Sequence, residues 1–172
     1  MIRYLLLLLL VVASLYSVAQ TDPEFPKGAV FYIEGHHGVA TNFHRSPDIF
    51  VSGLRANPQI TIVPQHLRLG GTAELAFTNK TFYGLFGPTL NWKLKTMNVK
   101  PFGSILNLQL QAEHLWGTGK QQLIGGGLKA EVGQLFLLGF MAHRDYNLNY
   151  WWFQGGLGYN LIKKKKDGDP FK

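Results

Sequence analysis

The sequence predicts an all-β fold: an eight-stranded antiparallel up-and-down barrel that crosses a membrane and whose interior is filled by polar side chains. Three observations predict it. Residues 66–78 alternate apolar residues with polar ones such as Arg68 and Glu74, which is the period of a β-strand. Similar segments, separated by turns, recur down the chain, as in barrels built from strands of about ten residues. They follow an N-terminal segment that is typical of an export signal.

Residues 1–19 are predicted to be a signal peptide. Arg3 supplies a positive start, 5–13 an apolar core, and Ala19 a small residue before the cleavage site. The alternative is an uncleaved anchor, but the apolar run is shorter than the ~20 residues that a transmembrane helix needs. The predicted organisation is a signal peptide at 1–19, an irregular segment at 20–28, a barrel at 29–162 and a basic periplasmic tail at 163–172.

Composition limits the classes of partner and of covalent stabilisation. The chain has no Cys and a formal net charge of +7. Disulfides are therefore excluded, although an exported protein could form them. A basic balance can indicate nucleic-acid binding, but an exported chain rarely meets nucleic acid, so no such partner is expected. We expect the lysines at 163–166 either to rest on anionic lipid headgroups or to form a solvated end.

The first four predicted strands are 29–37, 49–63, 66–78 and 81–95. The first alternates apolar residues such as Phe31 with polar ones such as Glu34. The second contains Asn57 and Pro58, and because proline removes a ladder donor, it is either one bent strand or two short ones. One bent strand is favoured because a closed bacterial barrel has an even number of strands. The fourth alternates large apolar residues such as Trp92 with polar ones.

The last four predicted strands are 102–116, 120–132, 135–143 and 148–162. The fifth sets leucines such as Leu108 against polar residues such as Gln109, and the sixth sets Leu128 against Lys129. The seventh is apolar on both faces, so its inward side cannot be identified from the pattern. The eighth alternates clearly, and its two faces are Trp151, Phe153, Leu157, Tyr159 and Leu161 on one side and Tyr150, Trp152, Gln154 and Asn160 on the other. Short connections between all eight predict hairpins, and closure removes edges that lipid could not hydrogen-bond.

The predicted inward faces collect eight charged residues. These are Glu34, Glu74, Glu113 and Glu131, together with Arg68, Lys93, Lys95 and Lys129. Four acids opposite four bases predict a paired interior network, because an unpaired buried charge is costly; a conducting or catalytic cluster is the alternative. A soluble lipocalin-like barrel would bind a ligand and have apolar residues inside. It is disfavoured because the bulky apolar side chains are too many for a narrow interior.

The last predicted strand carries a polar residue, Gln154, followed by Gly156, Tyr159 and Leu161. This spacing is similar to the assembly signal of the small eight-stranded outer-membrane β-barrel proteins of bacteria, the group that includes the barrel of outer membrane protein A. The likeness covers 29–162 and is architectural. It implies an outer-membrane location, outer-membrane lipids around the barrel, and recognition by the outer-membrane insertion machinery. In such proteins the signal commonly ends the chain, whereas here residues 163–172 follow it.

An even number of strands places both termini on one side, which the resemblance implies is the periplasm. The connections expected to face outside are 38–48, 79–80, 117–119 and 144–147. The first is the only one of them with room for a binding role, and His37, His44 and Arg45 are its contact candidates. An envelope protein is the type of partner that such a loop, or the lipid-facing wall, would bind.

The histidines do not predict a metal site. His36 and His37 are adjacent and so point to opposite faces of a strand, and no Cys or well-placed carboxylate completes a set with His44. We expect no cofactor and no catalytic residue, hence a closed, non-enzymatic barrel with a structural or partner-binding role. The alternatives are a lipid-modifying hydrolase that uses His44 or His143 with Ser46 as a candidate nucleophile, and a narrow pore.

Overall fold

The computed structural model describes residues 28–43, 48–78, 81–99, 104–133 and 135–162. The strands are β1 Ala29–Thr41, β2 Ile49–Val63, β3 Leu67–Thr78, β4 Thr81–Val99, β5 Ser104–Gly117, β6 Gln122–Val132, β7 Phe136–Asp145 and β8 Tyr150–Asn160. Each strand pairs antiparallel with the next, and β8 pairs with β1, which closes the barrel. The predicted eight-stranded up-and-down topology is therefore confirmed. Within the described ranges, no helix has the length and hydropathy needed to cross a membrane.

The two ends of the barrel differ in what they carry. We call the end that holds the β1–β2, β3–β4, β5–β6 and β7–β8 connections the loop end, and the opposite one, where β1 starts and β8 stops, the terminal end. The predicted signal peptide and the basic tail lie outside the described residues. β1 continues to Thr41 and β4 to Val99, so both strands are longer than the sequence pattern predicted.

The segment 49–63 is one strand, as predicted. Pairing with β1 continues through Pro58, which lies opposite Phe31. Pairing with β3 instead passes from Ala56 to Gln59, so the missing proline donor coincides with an interruption in that ladder. The register irregularity falls between Thr61 and Val63 and not at the proline.

The outer face of the barrel is apolar. Its exposed large side chains include Phe50, Leu54, Ile60, Leu69, Leu75, Phe82, Phe86, Ile124, Leu128, Phe136, Leu138, Phe140 and Leu157. The sequence left the inward face of β7 open. The structure identifies it, because Leu137 and Met141 are buried whereas Leu138 and Phe140 are exposed on the outer wall. The lipocalin-like arrangement is wrong for this chain, because the buried side chains in the middle of the described interior are charged.

The interior is layered and not uniformly polar. An apolar layer fills the loop end, and its buried members are Ala40, Val51, Ala76, Leu85, Leu115, Leu123 and Trp152. A smaller group at the terminal end consists of Val30, Tyr32 and Leu137. Charged and amide side chains lie between these two layers. The expected polar filling therefore describes the middle of the barrel, while the loop end combines an apolar layer with buried polar residues such as Gln121 and Asp145.

Close strand approach fixes some interior positions as glycine. A Cβ added to Gly127 of β6 would lie 1.8 Å from the carbonyl oxygen of Phe140 on β7, which is backbone and cannot move aside. Gly155 of β8, by contrast, has no atom within 4 Å of an added Cβ. The backbone path between β6 and β7 therefore depends on the absence of a side chain at Gly127.

We predict that Gly127→Ala lowers the free energy of unfolding by about 2 kcal/mol or more, because overpacking against backbone cannot be relieved by a rotamer change. Gly155→Ala is the matched control and is expected to change it by less than ~1 kcal/mol. Urea unfolding of the protein folded in lipid vesicles, followed by tryptophan fluorescence, measures both. Equal midpoints for the two variants would contradict this account of the β6–β7 contact.

Candidate functional site

An arginine lies between two glutamates in the middle of the barrel. Nη2 of Arg55, on β2, is 2.6 Å from Oε2 of Glu74, on β3. Nη1 of the same guanidinium is 3.0 Å from Oε1 of Glu113, on β5. Its Nε also donates to Oε2 of Glu74 at 3.0 Å. One guanidinium thus bridges two buried carboxylates that come from different walls of the barrel.

Two histidines extend this arrangement into a row of five side chains. Nε2 of His36 lies 3.0 Å from Oε1 of Glu74, and Nε2 of His143 lies 2.7 Å from Oε1 of Glu113. With Arg55 in the centre, the row joins β1, β3, β2, β5 and β7. We call it the central row. It connects opposite walls of the barrel through ionisable side chains alone.

Amides and hydroxyls complete the bonding of the two central glutamates. Gln111 donates to Oε2 of Glu113 at 2.8 Å, and Thr72 donates to the same oxygen at 3.1 Å. Gln154 donates to Oε1 of Glu74 at 3.3 Å. Because a buried carboxylate is stable only when its oxygens are bonded, these neutral donors are part of the same unit.

Two further ion pairs lie in the interior. Nη1 of Arg68 is 2.6 Å from Oε2 of Glu131, an oxygen that also accepts the hydroxyl proton of Tyr32 at 2.6 Å. Nζ of Lys129 is 2.6 Å from Oε2 of Glu34. Each of the four predicted interior glutamates therefore has a basic partner.

Seven of the eight residues assigned from sequence to an interior charge network are buried in the structure. They are Glu34, Arg68, Glu74, Lys93, Glu113, Lys129 and Glu131. Lys95 is the exception and the prediction for it is wrong, because the β4–β5 register shifts between Lys93 and Lys95 and Lys95 is exposed. A bulge moves every later side chain of a strand to the other face.

Sequence reasoning missed Arg55, which is the centre of the network. A usable signal existed, since Arg55 is out of phase with Leu54 and Ile60, both of which are exposed on the outer wall. Because Pro58 interrupts the segment, the pattern did not show which face of the strand Arg55 lies on. Arg55, and not Lys95, is therefore an interior base of the network.

The loop contact candidates are distributed differently from the prediction. His37 is not in a loop but on β1, where it is exposed on the outer wall with its ring 6.0 Å from that of Phe50. His44, Arg45 and the candidate nucleophile Ser46 lie outside the described residues.

The residues of the predicted assembly signal lie on and just after β8. Gln154 and Gly156 face the interior, where Gln154 bonds to Glu74. Tyr159 and Leu161 are exposed on the outside, and Tyr159 packs edge-to-face on Phe136 with ring centroids 5.6 Å apart. The predicted signal thus combines inward Gln154, which bonds to Glu74, with outward Tyr159 and Leu161.

The hydrolase hypothesis required His143 to be accessible at the outer end of β7. His143 does lie near that end of β7, but its side chain is fully buried against Glu113 and is not accessible. Asp145 is buried as well, and its Oδ1 accepts the backbone N–H groups of Gln122, Asn147 and Leu148. Its role is therefore to hold the β7–β8 turn. Within the described residues, no group of three His, Cys, Asp or Glu side chains could hold a metal ion.

The described interior contains little free space. A cavity of about 10 Å³ lies beside Arg55, His36 and Lys129, which is close to the minimum that one water molecule needs. Larger depressions are on the outer wall, such as one of about 610 Å³ lined by Phe136, Leu157 and other apolar residues. This cavity of the described interior therefore has room for about one water molecule and not for a larger ligand.

No family model and no curated protein matches the chain. Among solved structures, it is similar to a chain described as de novo design of transmembrane beta-barrels, with a TM-score of 0.51 and 14% identity over 79% of this chain and 97% of the other. The solution NMR structure of the de novo designed TMB2.3 has the same score and identity, with coverage of 83% and 100%. Ail, the attachment invasion locus protein of Yersinia pestis, has a TM-score of 0.44 and 8% identity, with coverage of 79% and 99%. At 14% identity the likeness to the two designed barrels shows the fold alone, and the eight strands of this chain are accordingly described as a transmembrane β-barrel.

We predict that Arg55→Met lowers the free energy of unfolding by about 3–5 kcal/mol, because it leaves two buried carboxylates without their shared cation. Lys95→Met is the matched control, since it also replaces a cation by an apolar chain but at an exposed position; a change below ~1 kcal/mol is expected there. Urea unfolding in vesicles measures both. A Lys95→Met variant as destabilised as Arg55→Met would contradict the conclusion that Arg55 belongs to the network and Lys95 does not.

Proposed function

We propose that the protein is a bacterial outer-membrane β-barrel that is closed and non-enzymatic, has both termini in the periplasm, and serves a structural or partner-binding role. The observation that carries this proposal is the distribution of side chains. Bulky apolar residues such as Phe82 and Leu157 cover the outside, while the charged residues of the central row are inside. That pattern suits a wall surrounded by hydrocarbon, and closure leaves no backbone edge without a partner.

The filled interior supports a closed barrel over the pore alternative. Leu85, Leu115 and Trp152 belong to the apolar layer that fills the loop end. Below that layer, Arg55 is held between two carboxylates. An eight-stranded barrel is just wide enough for its own side chains, so these two groups of interior side chains are expected to block a water-filled path.

A partner would reach such a protein from the surrounding lipid or from its loops. The wall offers His37 and the apolar side chains beside it, and the loop that contains His44 and Arg45 is the longest connection at the loop end. We therefore propose an envelope protein as the partner and outer-membrane lipids as the surroundings. Insertion would use the outer-membrane insertion machinery, which would recognise the signal on β8.

In planar lipid bilayers, we predict no steady single-channel current from the purified protein, with a pore-forming barrel as the positive control. The apolar layer at the loop end is the physical reason. Cell fractionation is expected to place the full-length chain with outer-membrane markers. A reproducible current would overturn the closed barrel, and recovery in the soluble fraction without detergent would overturn the membrane location.

We predict that Tyr159→Ala slows assembly by purified insertion machinery in proteoliposomes severalfold, because Tyr159 is the outward aromatic residue of the proposed signal. Leu157→Ala is the matched control: it lies on the same face of β8 and is more exposed, at 68% against 39% for Tyr159. Spontaneous folding of both variants in detergent is expected to remain similar. Equal assembly rates for the two variants would contradict a specific signal at Tyr159.

A further inference from the structure

Arg144 occupies an unusual place on the outer wall at the loop end. It lies on β7 between two inward residues, His143 and Asp145, so its own side chain points outward. Its guanidinium carbon is 5.5 Å from the centre of the Trp151 ring on β8, and its Nη2 donates to Oδ1 of Asn149. These two contacts hold the guanidinium in place without neutralising it.

A polar aromatic group lies beside this arginine on the same face. His114, Ile124, Arg144 and Trp151 are successive partners in one row across β5, β6, β7 and β8. Nε2 of His114 is 2.8 Å from the hydroxyl of Tyr146, and its ring centroid is 4.5 Å from that of Trp116. We call His114, Trp116, Arg144, Tyr146 and Trp151 the Arg144 cluster.

The neighbouring turn adds a second cation at this edge. Nδ2 of Asn147, in the β7–β8 turn, donates to the carbonyl oxygen of Lys120, in the β5–β6 turn, at 2.5 Å. The two turns are therefore joined, and Lys120 is exposed next to the Arg144 cluster. The nearest acid along the chain, Asp145, is buried and bonded to backbone N–H groups.

Protein carboxylates do not neutralise these cations in the described part of the chain. The single exposed acid there is Asp48, which precedes β2, and β1 separates β2 from β8. No ion pair of Arg144 or Lys120 is present among the described residues. The positive charge at this edge is thus available to a ligand from outside the chain.

The height of the cluster on the barrel indicates what that ligand is. Trp116, Trp151 and Tyr146 lie within one or two residues of the strand ends, the level at which aromatic side chains meet lipid headgroups. At that level, the anion that a membrane presents is phosphate. A guanidinium presents its N–H groups in a planar fork that matches phosphate oxygens, while the flanking rings contact the upper part of the acyl chains.

We propose that the Arg144 cluster, together with Lys120, binds the phosphate group of an anionic membrane lipid in the leaflet at the loop end. This site rests on the membrane insertion proposed above. Arg144 supplies the bidentate contact, Lys120 a second charge, and the hydroxyl of Tyr146 or the ring of His114 a further donor. The acyl chains lie along the apolar wall beneath Trp151 and Ile124.

The test uses the full chain without its predicted signal peptide, folded in zwitterionic detergent, with phosphatidic acid as the probe and native mass spectrometry as the readout. We expect the protein to retain phosphatidic acid, and Arg144→Gln to retain about fivefold less at equal lipid concentration, the factor that corresponds to ~1 kcal/mol per surface cation. Arg144→Gln with Lys120→Gln is expected to lose a further similar factor. Diacylglycerol, which has the chains but no phosphate, is expected to be retained weakly by all variants.

Lys95→Gln is the matched control, because it removes one exposed cation from the opposite end of the barrel. An unchanged Lys95→Gln supports a local site, whereas a loss equal to that of Arg144→Gln would overturn it. Arg144→Lys, which keeps the charge but not the fork, is expected to recover part of the retention. Displacement of the lipid by an equal concentration of inorganic phosphate would overturn a lipid site in favour of a free-phosphate site.

Insertion is measured in parallel so that two failures can be separated. All variants are expected to insert into phosphatidylcholine vesicles and to unfold at the same urea concentration as the parent protein, since Arg144 and Lys120 lie at the surface. Insertion with unchanged phosphatidic acid retention in Arg144→Gln would overturn this site alone. Failure of the parent protein to insert would overturn the proposed function and this site together.

Discussion

The charged interior of this barrel depends on Arg55, the cation that Glu74 and Glu113 share. Glu74 and Glu113 approach the same guanidinium from two sides, at 2.6 and 3.0 Å, in a space that hydrocarbon surrounds and water barely enters. Two carboxylates this close would repel each other strongly without that charge. Because His36 and His143 continue the row to further strands, side-chain pairing and wall closure reinforce each other.

Room for such long side chains comes from glycine. Gly53 lies beside the ring of His36, and Gly139 lies beside the side chain of Lys129. A Cβ added to either glycine would come within 3 Å of the side chain next to it. A narrow barrel can therefore hold a charged layer only where a neighbouring strand contributes no side chain. At the loop end, where the interior is apolar, Leu115 and Trp152 fill the same space with hydrocarbon.

The sequence alone carried the fold, because a period of two is a strong signal wherever one face is polar, as in 66–78. It failed where that contrast is lost. Leu137 belongs to an inner apolar group, so apolar residues occur on both faces of β7 and the pattern does not identify the inward one. Pro58 obscured the phase that would have placed Arg55 inside, and a bulge after Lys93 reversed the face of Lys95. Bulges and interior apolar layers depend on neighbouring strands, which a local pattern does not contain.

Acids and bases are distributed differently between the interior and the surface, and the need to pair buried charges explains this difference. Of the acids that the structure describes, all but Asp48 are buried, whereas cations such as Lys95, Lys120 and Arg144 remain at the surface near the two ends. A carboxylate on the outer wall would face anionic headgroups, while a lysine or arginine there gains from them and can extend its apolar stem along the wall. The four buried glutamates are therefore paired with bases, Asp145 is bonded to backbone N–H groups, and the exposed bases can contact the membrane surface. The paired charges of the interior and the exposed cations near the two ends thus follow from one requirement, that a charged side chain lies where a group of opposite charge can contact it.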